Sequence, residues 1–265
     1  MLELRRVSCG YGGNIVLRDV SFTINEGEFV GVIGPNGSGK TTLVRVATKV
    51  IRPVAGEVLL EGRSILAMSY RELATRIAMV GPIDRDIDMS IEDLVLLGRI
   101  PLRERYRLLD GETDMDAARE AMRVTGLLHL GDRPVSTLSS GERQLAFVAR
   151  SLAQQPRLLF LDEPTSHLDI RHQVVLLDLV VKLNREKRLT VVMILHDLNL
   201  ASQYCQRLLL MDKGALHSDG PPECVLTRET IEKVYQTPVI VLNGPSCPTP
   251  LIRPVSREGG SRSDL

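Results

Sequence analysis

This 265-residue chain is predicted to form an α/β fold with a mainly parallel sheet, an N-terminal antiparallel β subdomain and a helical insertion subdomain. Three observations lead to this prediction. The apolar run at 29–33 leads into a glycine-rich loop that is followed by a helical pattern. The apolar runs at 158–161 and 190–195 are separated by a long amphipathic helical pattern, which is typical of a parallel β-α-β unit. Between residues 91 and 153 the apolar periodicity is mainly helical.

The composition is that of a globular protein. Hydrophobic residues make up 43% of the chain and charged residues 25%, which excludes a wholly disordered, collagen-like or coiled-coil protein. Basic and acidic residues number 33 each, so the net charge is zero and we expect no nucleic-acid partner. The longest apolar stretches hold four or five residues, against the roughly 18 needed to cross a bilayer. The charged start of the chain lacks the apolar segment of a secretion signal, which favours a cytosolic location.

The elements before the helical insertion follow from apolar runs that are bounded by glycine-bearing turns. These runs predict strands at 2–7, 16–24, 29–33 and 77–80. The first two strands form the antiparallel β subdomain, and the third is the first strand of the core. A helical pattern follows the glycine-rich loop and ends before Pro53.

The elements from the insertion onward are mostly helical at first. Helices are predicted at 91–97, 114–128, 141–155, 170–186 and 229–235. A hairpin is expected around 212–214. From residue 244 onward proline, glycine, serine and arginine accumulate without periodicity, which predicts a flexible tail at 244–265. The predicted organisation is one domain at 1–243, divided into a core at 1–80 and 156–243 and a helical subdomain at 81–155.

The glycine-rich loop matches the pattern G-x-x-x-x-G-K-[ST] and lies between a predicted strand and a predicted helix. Its glycines allow successive backbone N–H groups to point at phosphate oxygens, and the dipole of the following helix favours negative charge there. Lys40 is expected to neutralise the β and γ phosphates, and the Thr41 hydroxyl to bind Mg²⁺. The sequence therefore predicts a P-loop NTPase core that binds a nucleotide. The predicted phosphate-loop residues are Gly34, Pro35, Asn36, Gly37, Ser38, Gly39, Lys40, Thr41 and Thr42.

Two acidic residues, Asp162 and Glu163, follow the apolar run at 158–161. A buried strand can present acids only at its end, where an active-site crevice opens. Asp162 is predicted to hold Mg²⁺ through water, and Glu163 to act as the general base on the attacking water.

The long stretch between Lys40 and Asp162 contains the segment Leu138-Ser139-Ser140-Gly141-Glu142. With this segment the chain resembles the ATPase subunit of ATP-binding cassette (ABC) transporters, whose signature sequence is Leu-Ser-Gly-Gly-Gln. We call residues 138–142 the signature segment. The resemblance covers residues 1–240. The other family motifs occur in the family's order along the chain, at Tyr11 before the signature segment and at 166–169 and His196 after it.

The resemblance implies ATP hydrolysis by a dimer. It implies that Tyr11 stacks on adenine and that His196 senses the γ-phosphate as a catalytic residue. The signature segment would cap the ATP held by the phosphate loop of a second copy, giving two composite sites at one interface. The residues implied at this interface are Ser139, Ser140, Gly141 and Asp169, the last of which would tie the two subunits together.

The chain departs from the family pattern at one position. The family usually has a glutamine that contacts Mg²⁺ after the strand at 77–80, whereas this chain has Gly81-Pro82. The departure affects the expected link between the ATP site and the helical insertion, not ATP binding itself. The carboxylates that could supply an oxygen ligand instead, although acidic loops are usually solvated, are Asp84, Asp86 and Asp88.

Segments outside the nucleotide motifs resemble one subgroup of the family, which energises the uptake of iron-siderophore, haem or cobalamin compounds. These segments are 91–99, 196–201, 222–227 and 229–235. This resemblance implies integral permease subunits, an extracytoplasmic binding protein and a peripheral position on the cytoplasmic face of the membrane. The alternative is a cytosolic ABC ATPase that assembles or remodels another structure, and the surface at 82–110 would discriminate between the two. A third class, a phosphate-loop kinase that acts on a small molecule, would not be expected to contain the signature segment.

Overall fold

The computed structural model describes residues 1–81, 87–103, 111–244 and 247–255. The strands are β1 (Leu2–Tyr11), β2 (Asn14–Ile24), β3 (Phe29–Ile33), β4 (Ala55–Leu60), β5 (Arg63–Ser64), β6 (Ile77–Val80), β7 (Leu158–Asp162), β8 (Thr190–Ile194), β9 (Arg207–Asp212), β10 (Ala215–Gly220), β11 (Val239–Gly244) and β12 (Cys247–Pro254). The α-helices are α1 (Lys40–Ala47), α2 (Tyr70–Ala74), α3 (Ile91–Leu96), α4 (Glu112–Val124), α5 (Ser140–Ala153), α6 (Ile170–Lys187), α7 (Leu198–Tyr204), α8 (Pro222–Val225) and α9 (Arg228–Tyr235). Short 3₁₀ helices lie at Ile65–Ala67, Leu97–Leu102, Leu128–Leu130 and Val135–Thr137.

The chain forms two compact units, which we call the helical unit and the loop unit. The segments of the helical unit are Met1–Leu2, Asn25–Glu28 and Leu59–Met193. The segments of the loop unit are Glu3–Ile24, Phe29–Val58 and the chain from Ile194 onward. The turn at 25–28 joins the helical unit because Asn184 Nδ2 donates a hydrogen bond to Gly27 O at 2.8 Å. The domain limits that the sequence suggests stay predictions.

In the loop unit, buried apolar strands carry the glycine-rich loop. All five residues of β3 are buried, and β3 runs parallel to β9 with Ile33 opposite Leu210. β9 pairs antiparallel with β10 around the turn at 212–214, which confirms the predicted hairpin. In the N-terminal sheet, β1 lies between β2 and β4.

The C-terminal part of the loop unit contains a strand where the sequence predicts a flexible tail. β12 pairs antiparallel with β11, and Val241 lies opposite Ile252. The Ile252 N–H donates to Asn199 Oδ1 at 2.7 Å, and Asn199 Nδ2 donates to Ile252 O at 3.2 Å, so this ribbon is fastened to α7. The sequence does not predict this strand because β12 contains prolines, which lack the N–H that pairs strands. A strand nevertheless tolerates proline where no partner strand needs that donor. Residues 256–265 of the predicted tail lie outside the described residues.

In the helical unit, α3, α4 and α5 pack together, and α5 packs against β6. Buried apolar side chains form this core, among them Leu94, Val95, Ala118, Met122 and Val148. β6 and β7 run parallel with Ile77 opposite Leu158, and β8 lies on the other side of β7. Gln154 Nε2 donates to Ile77 O at 2.6 Å, which joins α5 to the strand. Across the described ranges, no helix is both long enough and apolar enough to cross a membrane.

A buried ion pair holds the three helices together. Arg99 Nε lies 2.9 Å from Asp114 Oδ1, and Arg99 Nη1 donates to Ala153 O at 2.6 Å. Both charged residues are 8% exposed. A charge this buried is costly without partners, so removing Asp114 would leave Arg99 without its carboxylate. Removing Arg99 would leave Asp114 only the longer contact to Arg103 Nε, at 3.8 Å. The pair therefore fixes the turn after α3 against α4 and the end of α5.

Candidate functional site

The loop unit holds the phosphate loop, whose two motif glycines are required by geometry. Gly34 has φ 147°, and a Cβ there would lie 2.3 Å from Met211 O. Gly39 has φ 102°, and a Cβ there would lie 2.6 Å from Leu17 Cδ2. Because L-residues rarely adopt such φ values and no side chain fits, both positions accept only glycine. The loop therefore reaches α1 with Lys40 as its first helical residue.

Lys40 folds back over the loop that precedes it. Its Nζ donates to Gly34 O at 2.7 Å and to Pro35 O at 3.0 Å, and the residue is 5% exposed. The ammonium thus lies beside the loop backbone, at the positive end of the α1 dipole. Thr41 and Thr42 occupy the first turn of α1, and Thr42 is buried. This arrangement concentrates positive potential where a phosphate would bind.

Tyr11 lies at the end of β1 and is 42% exposed. Arg45 of α1 places its guanidinium 5.9 Å from the centre of the Tyr11 ring and donates from Nη1 to the phenol oxygen at 3.1 Å. One face of the ring therefore meets a cation, and the residue stays partly exposed. The sequence analysis missed Arg45, since an arginine 34 positions away carries no local signal.

His196 follows β8 and precedes α7. The Leu195 N–H donates to Val32 O at 3.1 Å, so His196 leaves the strands level with the end of β3, where the phosphate loop begins. His196 is exposed, and the next residue, Asp197, caps α7 by accepting from the N–H groups of Asn199 and Leu200. The imidazole is thus carried on a short segment that is fastened on both sides.

Tyr235, the last residue of α9, also contacts the phosphate loop. Burial raises the pKa of Tyr235 to about 12, and a hydrogen bond from the backbone of Gly34 acts in the opposite direction. A bond that lowers the pKa of a phenol must stabilise the phenolate, so the Gly34 N–H is the donor. Tyr235 also lines a cavity of about 290 Å³ with Asn36, Ser38 and Asp212. No sequence motif marks this contact.

The helical unit holds the two acidic residues at the end of β7. All five residues of β7 are buried, and Asp162 is 6% exposed. Glu163 has φ 54°, an unusual backbone conformation for a residue with a side chain, and such strain is concentrated at functional sites. Ser166 Oγ donates to Glu163 Oε2 at 3.5 Å and its N–H donates to Glu163 O at 3.1 Å. These bonds support the strained turn.

Of the two residues that stand where the family usually has a glutamine, Gly81 and Pro82, the first lies beside Asp162. Val80 pairs with Leu161 in the parallel register, so Gly81 is level with Asp162. Among the described residues, a Cβ at Gly81 would meet only Met79 Cε, at an ordinary 3.5 Å, so a Cβ fits there. Asp88 is exposed, whereas Pro82, Asp84 and Asp86 lie outside the described residues. Over the described residues, no cluster of three or more His, Cys, Asp or Glu side chains could hold a metal ion.

The signature segment begins helix α5 with a capping box. Ser139 is the N-cap, and its hydroxyl oxygen accepts from the Glu142 N–H at 3.3 Å. Glu142 Oε2 in turn accepts from the Ser139 N–H at 2.9 Å and from its hydroxyl at 2.7 Å. The bond from the Ser139 side chain holds the pKa of Glu142 below its usual value. Ser139 and Ser140 are exposed at the helix start, as an anion site requires.

Asp169 lies next to the signature segment through His172 of α6. Asp169 caps α6, and its Oδ1 accepts from the His172 N–H at 2.8 Å and lies 2.8 Å from His172 Nδ1. The His172 ring packs directly on Gly141, where an added Cβ would lie 2.1 Å from Cδ2. The structure thus brings Ser139, Gly141 and Asp169 together, and the residue that joins them is one that the sequence analysis did not select.

Comparison with known proteins gives consistent matches. A family model described as ABC transporter matches residues 17–166. The ferric enterobactin transport ATP-binding protein FepC of Escherichia coli (strain K12) is 38% identical, over 99% of this chain and 97% of that protein. A metal-chelate type ABC transporter in an inward-facing conformation superposes with a TM-score of 0.84 at 26% identity, over 97% of this chain and 98% of that chain. The dimeric cassette MJ0796, bound to ADP and Pi after hydrolysis, has a TM-score of 0.72 at 28% identity, over 83% of this chain and 98% of that chain.

These likenesses confirm the α/β fold class that the sequence predicts, and they confirm the resemblance that the signature segment suggests. They do not support the alternative of an assembly or remodelling ATPase, because the relative is a transport protein over nearly its whole length. The chain belongs to the ABC transporter family, and it carries that family's ATPase domain.

Proposed function

We propose that this chain hydrolyses ATP to power the import of a metal-chelate compound, of the iron-siderophore, haem or cobalamin type. The observation that carries the proposal is the phosphate loop, with glycine geometry at Gly34 and Gly39 and Lys40 folded over the loop. The end-to-end likeness to a ferric enterobactin transport protein supports the cargo class. The matching metal-chelate type transporter supports it as well.

ATP binds with its phosphates on the backbone N–H groups of the phosphate loop and the first turn of α1. Lys40 exchanges its bonds to the carbonyls of Gly34 and Pro35 for the more negative phosphate oxygens. The face of Tyr11 opposite Arg45 stacks on adenine. His196, carried level with the start of the loop, donates to the γ-phosphate.

The donor atoms of the chain fit Mg²⁺. This ion prefers oxygen ligands and keeps several waters, so one or two protein oxygens beside ATP phosphates suffice. Thr41 offers a hydroxyl and Asp162 a buried carboxylate. When bound, Mg²⁺ neutralises phosphate charge. Glu163 orients the attacking water and accepts its proton.

A second copy of the chain completes each site. Ser139, Ser140 and Gly141 lie at the start of α5, where the positive end of the helix dipole attracts an anion. Each subunit holds one ATP in its own phosphate loop, so the anion at this helix start is the ATP of the other subunit. Beside Asp169, Ile170 is 80% exposed and Val174 on the same helix face is 39% exposed. Such adjacent exposed apolar side chains are typical of an interface. The dimeric relative bound to ADP and Pi supports this assembly.

The remaining partners are integral permease subunits, with an extracytoplasmic binding protein, and the chain lies peripherally on the cytoplasmic face of the membrane. The 3₁₀ helix Leu97–Leu102 exposes Leu97 and Ile100, at 41% and 53%. These apolar side chains support a groove for a short helix of the permease. The surface lies within the region 82–110 that would distinguish a transporter from a cytosolic ATPase.

Transport in vesicles tests the proposal. The chain is copurified from membranes with the integral subunits bound to it and reconstituted, and the uptake of a radiolabelled ferric siderophore is measured with and without ATP. We expect ATP-dependent uptake that Lys40→Ala abolishes. Copurification with no integral protein, or uptake that persists in Lys40→Ala, would contradict the proposal.

A further inference from the structure

His172 is a half-buried link between Asp169 and the start of α5 in the helical unit. Its side chain is 33% exposed, whereas that of Asp169 is 65% exposed. The ring covers Gly141 so closely that even a methyl group there would overlap it. On its other side, Nδ1 faces the Asp169 carboxylate at 2.8 Å. Since a carboxylate only accepts, Nδ1 carries the proton of this hydrogen bond.

The two donors from His172 fix the orientation of Asp169. The backbone N–H and Nδ1 both reach Oδ1, which leaves Oδ2 available to another partner. Among the described residues, no hydrogen bond is made to Oδ2. The N–H bond alone would cap α6, so the imidazole is not needed for capping. What the ring adds is a link from Asp169 to Gly141 at the start of α5.

We propose that His172 is a positioning residue that holds Asp169 and the signature segment in register for the second copy. This inference rests on the proposed composite site, because both groups act there across the interface. Two surfaces that must meet a partner together gain from a rigid connection, which removes the cost of ordering them separately on association. Closure of the dimer, not ATP binding by one subunit, is therefore the step that depends on His172.

Three substitutions separate the contacts of His172. His172→Ala removes both the ring and the Nδ1 donor. His172→Asn keeps a donor close to the place of Nδ1 but removes the ring from Gly141. His172→Phe keeps a ring of similar size but has no donor for Asp169. His129→Ala is the matched control, because His129 is an exposed histidine of the same unit.

Each variant is assayed for the ATPase kcat, for ATP affinity at a dilution where the protein is monomeric, and for the thermal midpoint. We expect His172→Ala to lower kcat at least tenfold while ATP affinity stays within twofold, with His172→Asn and His172→Phe in between. An unchanged kcat in His172→Ala would overturn the inference. A loss of kcat and affinity in parallel with a lower thermal midpoint would also overturn it, because the role would then be structural only.

Ser139→Arg is measured alongside to separate this inference from the proposed function. If Ser139→Arg abolishes hydrolysis and His172→Ala does not affect it, the composite site stands and the role of His172 fails. If Ser139→Arg leaves hydrolysis intact, the proposed composite site itself fails, and the inference fails with it.

Discussion

The contact between Gly141 and His172 gives a stability prediction whose sign changes with the background. In Gly141→Ala the new methyl would lie 2.1 Å from Cδ2 and 2.4 Å from Cγ of His172, so the ring must move as a whole. Overpacking of this kind costs about 1–3 kcal/mol. An alanine in a helix is favoured over glycine by about 0.5–1 kcal/mol. The net expectation is a loss of up to about 2.5 kcal/mol in the free energy of unfolding.

The effect of Gly141→Ala on the free energy of unfolding changes sign once the His172 ring is removed. In the His172→Ala background the three atoms nearest to a Cβ at Gly141 are removed, because all three belong to the His172 ring. Adding Gly141→Ala there should stabilise the helical unit by about 0.5–1 kcal/mol through helix propensity alone. The two substitutions are therefore strongly non-additive, as expected for residues in contact.

Urea unfolding of the four proteins of this double-mutant cycle, followed by far-UV circular dichroism, measures both values. For a chain of this size, about 1 kcal/mol corresponds to about 2–4 °C in the thermal midpoint, so calorimetry gives an independent check. The reasoning is refuted if Gly141→Ala has the same sign in both backgrounds. If Gly141→Ala destabilised both backgrounds equally, the cause would be the backbone of α5 and not the ring of His172.

Four further outcomes follow from the same structure. Glu163→Gln should keep ATP affinity but lower kcat at least about 100-fold, with an ATP-bound dimer accumulating in gel filtration; a monomer that hydrolyses normally would remove the residue from catalysis. Ser139→Arg should prevent dimer closure at nearly unchanged single-subunit ATP affinity, which equilibrium binding and sedimentation would separate. Gly81→Gln should raise permease-stimulated hydrolysis more than it changes ATP affinity, with Gly81→Ala as control; no difference between the two would mean that another residue provides the coupling. Tyr235→Phe removes a hydrogen bond worth about 0.5–1.5 kcal/mol and should weaken ATP binding about two- to tenfold, whereas Tyr70→Phe should not.

The sequence predicted well those features that local chemistry dictates. The phosphate loop is one such feature, since a turn with two positive-φ positions ahead of a helix requires glycine at Gly34 and Gly39. The buried strand that ends in Asp162 and Glu163 is another, because a run of apolar residues that ends in charge has few structural solutions. In both cases the information lies within about ten consecutive residues, which is the range that periodicity and turn rules cover.

The contacts that the sequence did not predict join positions far apart in the chain. Arg45 meets Tyr11, and Tyr235 meets Gly34, across separations that no pattern of spacing encodes. No sequence pattern marks His172, because only the fold places its ring on Gly141. The strand β12 was missed for a different reason, since its prolines resemble those of an unstructured segment.

The order of segments along the chain has a consequence for synthesis. Nearly all of the helical unit is one continuous stretch, Leu59–Met193, whereas the loop unit needs both Phe29–Val58 and the chain from Ile194 onward. Domains emerging from a ribosome generally fold as units once their residues are available. The stretch that carries the signature segment can therefore fold while the strand partners of the phosphate loop are still being made. The phosphate loop can meet its strand partner β9 and Tyr235 of α9 only after those elements have emerged, so we expect the nucleotide site to be completed after the helical unit.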